Sequence, residues 1–530
     1  MPMRFSMISA ILFFGVLALF TLSYRTYFYG GQSFEFCHYA EIASNILQGR
    51  GFSTASYDPA GLAFLDHVGA AMGQTGPLAW RYILFAYWSS FWMSVAGRGD
   101  FGMALGNGIA HALWVVFVYW MGCSLFNKRT ALLSACLWGL SPLMLLGFDL
   151  SGHPDVLFGL LFGLLNIFFW RVLKAQRQPS VEICAGIGIF AGLAYLSRYS
   201  FIIWLPLYLL LPFVLRRPWA LRMSILFLCG FLVGWADLAF YCFRHFHTLS
   251  NPFSTWHFAS YTVGQGMPWS EYKVFTGLDF MSLGVAVNMI RKWFILLRDF
   301  LNGLPTLWRL PLLIPVAVMG MATAPSPAAG FAAWLAVLFG WQVTIFSFMR
   351  QEDLGFLNGR YYLWLAPFII LYAVAFLEKH WSSKAWKIGG SALLVLHIFY
   401  WSMNYAAIPK ATGEQPIPDW PEISYIREKT PPNARIATNI PTQVTWYAKR
   451  RTVNLTNNPQ DLAALEARWP VDYLFVSNHQ IGELYNFPHW QALLSGRLGE
   501  PPEKILAAMG FQYERAFQNG VLFRKIKISG

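Results

Sequence analysis

The stretch SFEFCHYAEIASNILQGRGFS, Ser33–Ser53, follows the first long apolar run of the chain by a few residues. Counted from Tyr39, the residues Ile42, Ala43, Ile46 and Leu47 fall at i+3, i+4, i+7 and i+8, an unbroken apolar stripe for a helix of period 3.6. Gly49-Arg50-Gly51 ends that helix. Glu35 stands one turn before Tyr39 and extends the stripe, whereas Glu41, further along, points about 240° away and is expected to be solvated. A carboxylate at the head of a helix made for an apolar surface has two readings. In one, Glu35 is a first-turn acid favoured by the helix dipole, with Ser33 as the cap. In the other, it is a general base that acts on a hydroxyl at a membrane face.

The surroundings of this stretch set the class of the protein. Of 530 residues, 56% are hydrophobic, 18% aromatic and 12% charged, whereas soluble domains carry about a quarter charged residues. The composition is that of a polytopic membrane protein. Lys and Arg bring the net charge to +13, but they fall in short clusters between apolar runs and form no stripe, so they give membrane orientation and no nucleic-acid partner. All but Cys37 of the six cysteines lie within or at the edge of apolar segments, which leaves no disulfide framework and no paired metal site. The N-terminal MPMRFSMISAILFFGVLALFTLSYRTY resembles a signal peptide but lacks a clear small-residue cleavage site, and is read as a retained first span.

Apolar length and flanking charge place about eleven spans, at roughly Ser6–Tyr24, Met103–Phe126, Thr130–Phe148, Val156–Leu173, Ile183–Leu196, Phe201–Leu215, Met223–Tyr241, Leu310–Ala324, Phe331–Phe348, Tyr362–Leu377 and Ile388–Met403. With the N-terminus inside, the basic clusters at 127–129, 171–177, 216–222 and 379–387 all become cytoplasmic. Trp80–Val95 is almost long enough to cross, but a crossing there would turn every one of those clusters outward. It is assigned to the interface, as is Val285–Leu301. The chain therefore divides into a transmembrane domain over residues 1–405, with a first external loop at about 25–102, and a soluble extracytoplasmic α/β domain over 406–530. In the latter, Ala434–Thr438 and Tyr473–Ser477 read as buried strands, Gln460–Arg468 and Pro502–Met509 as helices, and RAFQNGVLFRKI as a hairpin on Asn519-Gly520.

The string EFCHYAEIASNILQGRGF resembles the first external loop of the GT-C glycosyltransferases, polytopic enzymes that use polyprenyl-phosphate sugars and include aminoarabinose transferases and protein O-mannosyltransferases. AGRGDFGMALGNGIAHAL, SPLMLLGFDLSGHPDVLFGLLFGLL, GLAYLSRYSFIIWLPLYLL and NGRYYLWLAPFIILYA are similar to later loop and helix junctions of that superfamily. The likeness extends over most of the chain through short motifs. It implies a GT-C-like fold and inverting transfer of a sugar from a polyprenyl-phosphate donor to a lipid, glycan or protein acceptor. It also implies a place in the bacterial cytoplasmic membrane and a role in the cell envelope, such as lipopolysaccharide. Glu35 stands where the superfamily usually has Asp; the added methylene moves the carboxylate by about one bond length, and a small misplacement is costly to rate.

The same likeness selects further residues. Asp155 would be the second acidic residue of the cavity, positioning the acceptor or contacting a metal, although a helix start is an ordinary place for Asp. Asp149, His153 and Tyr39 are candidate cavity residues. Arg198, Arg360 and its neighbour Tyr361 are candidates for holding the lipid phosphate, which gains charge as the glycosidic bond breaks. Arg198 could equally snorkel to the interface. His111 and His397 are read as polar contacts between helices. No cofactor is called for, and a divalent metal stays open. The chain lacks a Walker loop, GxGxxG, HExxH and a DxD pair, in agreement with a donor whose phosphate is carried on lipid. A transporter or flippase of lipid-linked sugar, and a catalytically degenerate scaffold of the same fold, remain as alternatives.

Overall fold

The computed structural model describes residues 7–249, 313–347, 359–407 and 416–526, apart from 32, 71–72, 79–80, 176–177, 458, 480–486 and most of 495–508, together with isolated residues between 250 and 312. Val285–Leu301, Pro502–Met509, Arg350 and the side chain of Arg360 fall wholly or mainly outside the described residues. Its helices are α1 Met7–Tyr27, α2 Phe34–Leu47, α3 Pro59–His67, α4 Ile83–Ala96, α5 Asp100–Leu125, α6 Lys128–Gly139, α7 Asp155–Lys174, α8 Val181–Ser197, α9 Leu205–Val214, α10 Ala220–Phe246, α11 Leu313–Ala322, α12 Ser326–Ser347, α13 Ala366–His380 and α14 Lys384–Ala407, before those of the C-terminal region. The chain forms two compact units: residues 1–27, 104–238 and 280–410, and residues 28–103, 239–279 and 411–530.

The first unit is helical, and each of the eleven expected spans contains a helix. Among the described residues, six segments are long and apolar enough to cross a membrane: Met7–Tyr27, Asp100–Leu125, Asp155–Lys174, Ala220–Phe246, Ser326–Ile345 and Tyr361–His380. The expected span Thr130–Phe148 is not one rod. It breaks at Pro142, whose ring nitrogen has no hydrogen to donate, and continues as a π-helical segment, Leu143–Asp149.

Two features fix the packing of this unit. Gly188 and Gly192 on α8 face Gly230 and Gly234 on α10, and a Cβ on Gly188 or Gly230 would overlap the carbonyl of Phe227 or Ala185. This is the small-xxx-small pattern by which apolar helices approach closely where no water drives them together. It is written in the sequence as GIFAG and GFLVG neighbourhoods, and periodicity counting passes over it because glycine adds nothing to an apolar stripe. The second feature is Asn166 of α7, whose Oδ1 accepts from Tyr208 Oη at 2.9 Å and Trp334 Nε1 at 2.8 Å, while its Nδ2 donates to the Phe162 carbonyl. One satisfied amide thus ties α7 to α9 and α12.

The second unit holds a six-stranded sheet of order β2-β5-β4-β6-β8-β7. Its strands are β2 Ser56–Tyr57, β4 Arg435–Thr438, β5 Arg451–Asn454, β6 Tyr473–Ser477, β7 Phe511–Phe517 and β8 Gly520–Lys525; β1 Ser53–Thr54 pairs separately with β3 Gly76–Pro77. β2, β5, β4 and β6 run parallel, and β8 and β7 close the sheet as an antiparallel hairpin. The C-terminal chain is thus not self-contained: a strand of the first loop, β2, forms the sheet edge against β5. The core under the sheet is built from Ile417, Ile423, Ile426, Ile436, Val444, Phe475 and Leu522. Phe517 pairs with Gly520, so the hairpin turns on Gln518-Asn519, one residue before the expected Asn519-Gly520. Gly520 is needed as a strand residue, since a Cβ there would stand 2.8 Å from both the Phe475 ring and the Val476 carbonyl. α4 also belongs to this unit, and its 14 residues rise only about 21 Å, short of the ~30 Å of a bilayer core.

Replacing Gly230 by Leu is expected to destabilise the first unit by about 2 kcal/mol through overpacking against the Ala185 carbonyl, read as a lower thermal midpoint of the detergent-solubilised protein, while Gly186→Leu, where a side chain meets open space, is expected to leave it unchanged.

Candidate active site

In the second unit, α2 begins on a built cap. Ser33 Oγ accepts from the Phe36 amide at 2.9 Å, and Glu35 follows in the first turn, where the unpaired amides favour negative charge. Glu35 is 14% exposed, and its Oε1 lies 3.8 Å from Nη1 of Arg81. The Arg81 guanidinium lies 5.0 Å from the Phe34 ring centroid and 5.8 Å from that of Tyr39. Sequence reading singled out neither Arg81 nor its second partner, His38, whose Nδ1 accepts from Arg81 Nε at 3.0 Å. The available signal was a lone cation at the start of the aromatic α4 segment.

Glu41 overturns its expected place in solvent. It is buried, because α2 is enclosed on nearly every side and residues at 240° from the stripe meet the loop Ser53–Ala55. Its carboxylate collects Thr54 Oγ1 at 2.6 Å, Asn45 Nδ2 at 2.6 Å and the Ala55 amide at 3.0 Å. Burial nevertheless outweighs these three donors and lifts its pKa to about 7. Tyr39 is likewise fully buried: its hydroxyl accepts from the Tyr82 amide at 3.1 Å and its ring meets Phe85 edge-on. It joins α2 to α4 and presents no free face to a cavity.

In the first unit, Asp155 and Arg198 form a buried ion pair, 2% and 3% exposed. α7 starts at Asp155 after Pro154, and Arg198 caps the C-terminus of α8, so each side chain stands at the helix terminus whose dipole favours its charge. Arg198 also lies 4.3 Å from the ring centroid of Tyr361, in the 3-10 turn Gly359–Leu365 that leads into α13. Three sequence candidates, Asp155, Arg198 and Tyr361, are thus brought together. A guanidinium held by one carboxylate and one aromatic face keeps donors for a further anion.

Of the two other candidates, Asp149 has different surroundings, whereas His153 joins Asp155, with a ring nitrogen within 4.8 Å of a carboxylate oxygen. Asp149 ends the π-helical segment with no exposed surface and contacts Nδ1 of His111 at 2.8 Å, so it is committed to a partner on α5. His111 makes the polar interhelical contact anticipated for it. His153 is partly buried, with its carbonyl accepting from Asn107 Nδ2 at 3.1 Å and its ring 5.5 Å from that of Phe148.

The profile of a family described as dolichyl-phosphate-mannose-protein mannosyltransferase matches residues 81–275. Over 124 residues the chain is 26% identical to an undecaprenyl phosphate-alpha-4-amino-4-deoxy-L-arabinose arabinosyl transferase of Yersinia pestis (strain Pestoides F), a match that covers 23% of this chain and 22% of that one. The same protein of Yersinia pseudotuberculosis serotype O:3 (strain YPIII) matches equally. The matched part thus spans 22% of the length of these curated relatives. Among solved structures, the chain is similar to ArnT from Cupriavidus metallidurans bound to undecaprenyl phosphate, with TM-score 0.58, 12% identity and 98% of each chain covered. It is also similar to the archaeal oligosaccharyltransferase AglB from Archaeoglobus fulgidus, solved with an inhibitory peptide and a dolichol-phosphate, with TM-score 0.52, 12% identity, and 99% of this chain and 75% of that one covered. The chain shares the overall fold of these two proteins.

Two outcomes are expected from these environments. Arg198→Met, which leaves Asp155 buried without its cation, is expected to cost about 3–5 kcal/mol, with much of it recovered in the Asp155→Asn/Arg198→Met double variant, as read by thermal unfolding. Because burial raises the Glu41 pKa from 4.5 to about 7, the folded state binds the extra proton between those values, so this group's contribution to stability is full below about pH 4.5 and lost as pH rises through 7. Glu41→Gln is expected to flatten that part of the stability–pH curve.

Proposed function

We propose that this chain, which has the GT-C fold, is a glycosyltransferase of the bacterial cytoplasmic membrane that moves a sugar from a polyprenyl-phosphate donor to an extracytoplasmic lipid, glycan or protein hydroxyl with inversion. In this reading the N-terminus lies inside and the C-terminal domain outside, an orientation that the basic clusters favour. The observation that carries this reading is the Glu35 carboxylate: largely buried, held at the capped start of α2 and facing a guanidinium. The family match over residues 81–275 and the kinship of fold support the class of reaction.

In the proposed step, Glu35 takes the proton of the acceptor hydroxyl as its oxygen bonds to the anomeric carbon. The bond from that carbon to the phosphate oxygen breaks on the opposite face, and polyprenyl phosphate leaves with the electron pair. Arg198 and Arg360, with Tyr361 beside Arg198, answer the charge that grows on the leaving phosphate. The role of Asp155 follows from its ion pair: it fixes the guanidinium of Arg198 so that no side-chain reorganisation is needed when that charge develops.

Glu35→Gln is expected to lower transfer of labelled sugar from polyprenyl phosphate by about 10²–10⁴-fold in membranes, with undecaprenyl phosphate still bound, and the wild-type rate is expected to fall on the acid side as the base is protonated. A variant as fast as wild type removes Glu35 as the base and selects the scaffold reading. Labelled donor lipid that crosses the bilayer without sugar transfer selects the flippase.

A further inference from the structure

We propose that His38 is a positioning residue for Glu35: as a neutral imidazole protonated on Nε2, it anchors Arg81 by its Nε so that the other end of the guanidinium faces the Glu35 carboxylate. The inference rests on the reading of Glu35 as the base.

The protonation state follows from donor accounting. The Arg81 guanidinium has donors only, and its Nε points at His38 Nδ1 from 3.0 Å, so that ring nitrogen is bare. The proton of the neutral ring therefore sits on Nε2, which faces Thr54 Oγ1 at 3.1 Å. Thr54 has room to receive it, since its own hydroxyl hydrogen is directed to Glu41 Oε2 at 2.6 Å. Each donor along Arg81, His38, Thr54 and Glu41 thus points the same way. An imidazolium would set a second N–H against the Arg81 N–H, in a site where His38 is only 1% exposed.

The anchoring has a mechanical consequence at Glu35. Arg81 brings a long, flexible side chain, and a contact at Nη1 alone would leave it free to swing. Nε held by the imidazole and the guanidinium face held over Phe34 restrict that swing, leaving Nη1 3.8 Å from Glu35 Oε1. Glutamate has one more torsion than the aspartate usual at this position of the superfamily, so its carboxylate has more freedom to remove. His38 lies one turn beyond Glu35 on α2, which transmits the constraint through a rigid helix.

Two substitutions separate the halves of this contact. In His38→Asn, the amide oxygen comes near the place of Nδ1 and accepts from Arg81. In His38→Gln, the amide nitrogen comes near the place of Nε2 and serves Thr54, and Arg81 loses its acceptor. With a panel of labelled undecaprenyl-phosphate pentoses and hexoses as donors, the Asn variant is expected to keep kcat within about threefold, and the Gln variant to lose about 10²-fold in kcat at little changed KM. Gln at the wild-type rate, or the two variants impaired alike, overturns the proposal, because a residue needed only for stability would not distinguish the two ends of its ring. A readout free of catalysis is ¹⁵N NMR of the histidine-labelled wild type, with His38 assigned by its loss in the Asn variant: a neutral Nε2–H ring at pH 7 is expected, and an Nδ1–H ring or an imidazolium overturns it. If Glu35→Gln is inactive while His38→Gln is fully active, the positioning claim alone falls. If Glu35→Gln transfers normally, the base reading falls, whatever the NMR result.

Discussion

Taking a charge out of water costs several kcal/mol unless the fold returns what water supplied, and each buried charge in this protein has been answered in its own way. Arg198 receives a carboxylate and an aromatic face. Arg81 receives an imidazole nitrogen, a phenyl ring and the edge of a carboxylate. Glu41 receives three neutral donors and the field of Lys449, and burial still outweighs them and raises its pKa. The rest of each site is arranged around those answers: which helix end sits where, which loop must close, and which tautomer a histidine adopts.

The second unit is assembled from pieces distant in sequence. β2 of the first loop pairs with β5 of the C-terminal chain, and the Asp100 carboxylate accepts from Trp446 Nε1 and Tyr447 Oη, each at 2.8 Å. The Tyr447 oxygen accepts in turn from the Gly31 amide just ahead of α2. The helix that bears Glu35 is therefore held by the C-terminal chain at its start and by the loop Ser53–Ala55 along its length. Rigidity at α2 is what the role proposed for Glu35 requires, since a misplaced carboxylate loses much of its advantage as a base.

The two readings of Glu35, cap-region acid and base, do not exclude each other. Ser33 caps α2 as the structural reading has it, and a capped first turn is also a favourable place to keep a carboxylate ionised. The candidates that sequence chose by likeness sorted unevenly. Asp155, Arg198 and Tyr361 converge, whereas Tyr39 and Asp149 prove to be packing and partner residues, because a residue can keep its place in a motif while its side chain serves the core.

Legible in the sequence were the membrane class, a helix in every expected span, the mixed C-terminal region with its buried strands and hairpin, and the capped helix that carries Glu35 in its first turn. These follow from composition, period and cap residues, which are local properties of the chain. Packing in three dimensions was needed to show that Glu41 is buried, that β2 completes a sheet begun hundreds of residues later, that Asp155 belongs to Arg198, and that His38 accepts from Arg81. Each of these joins groups far apart in the chain, 43 residues in the case of His38 and Arg81. A buried polar group takes as partner whatever packing brings within 3 Å, and no period in the sequence records that.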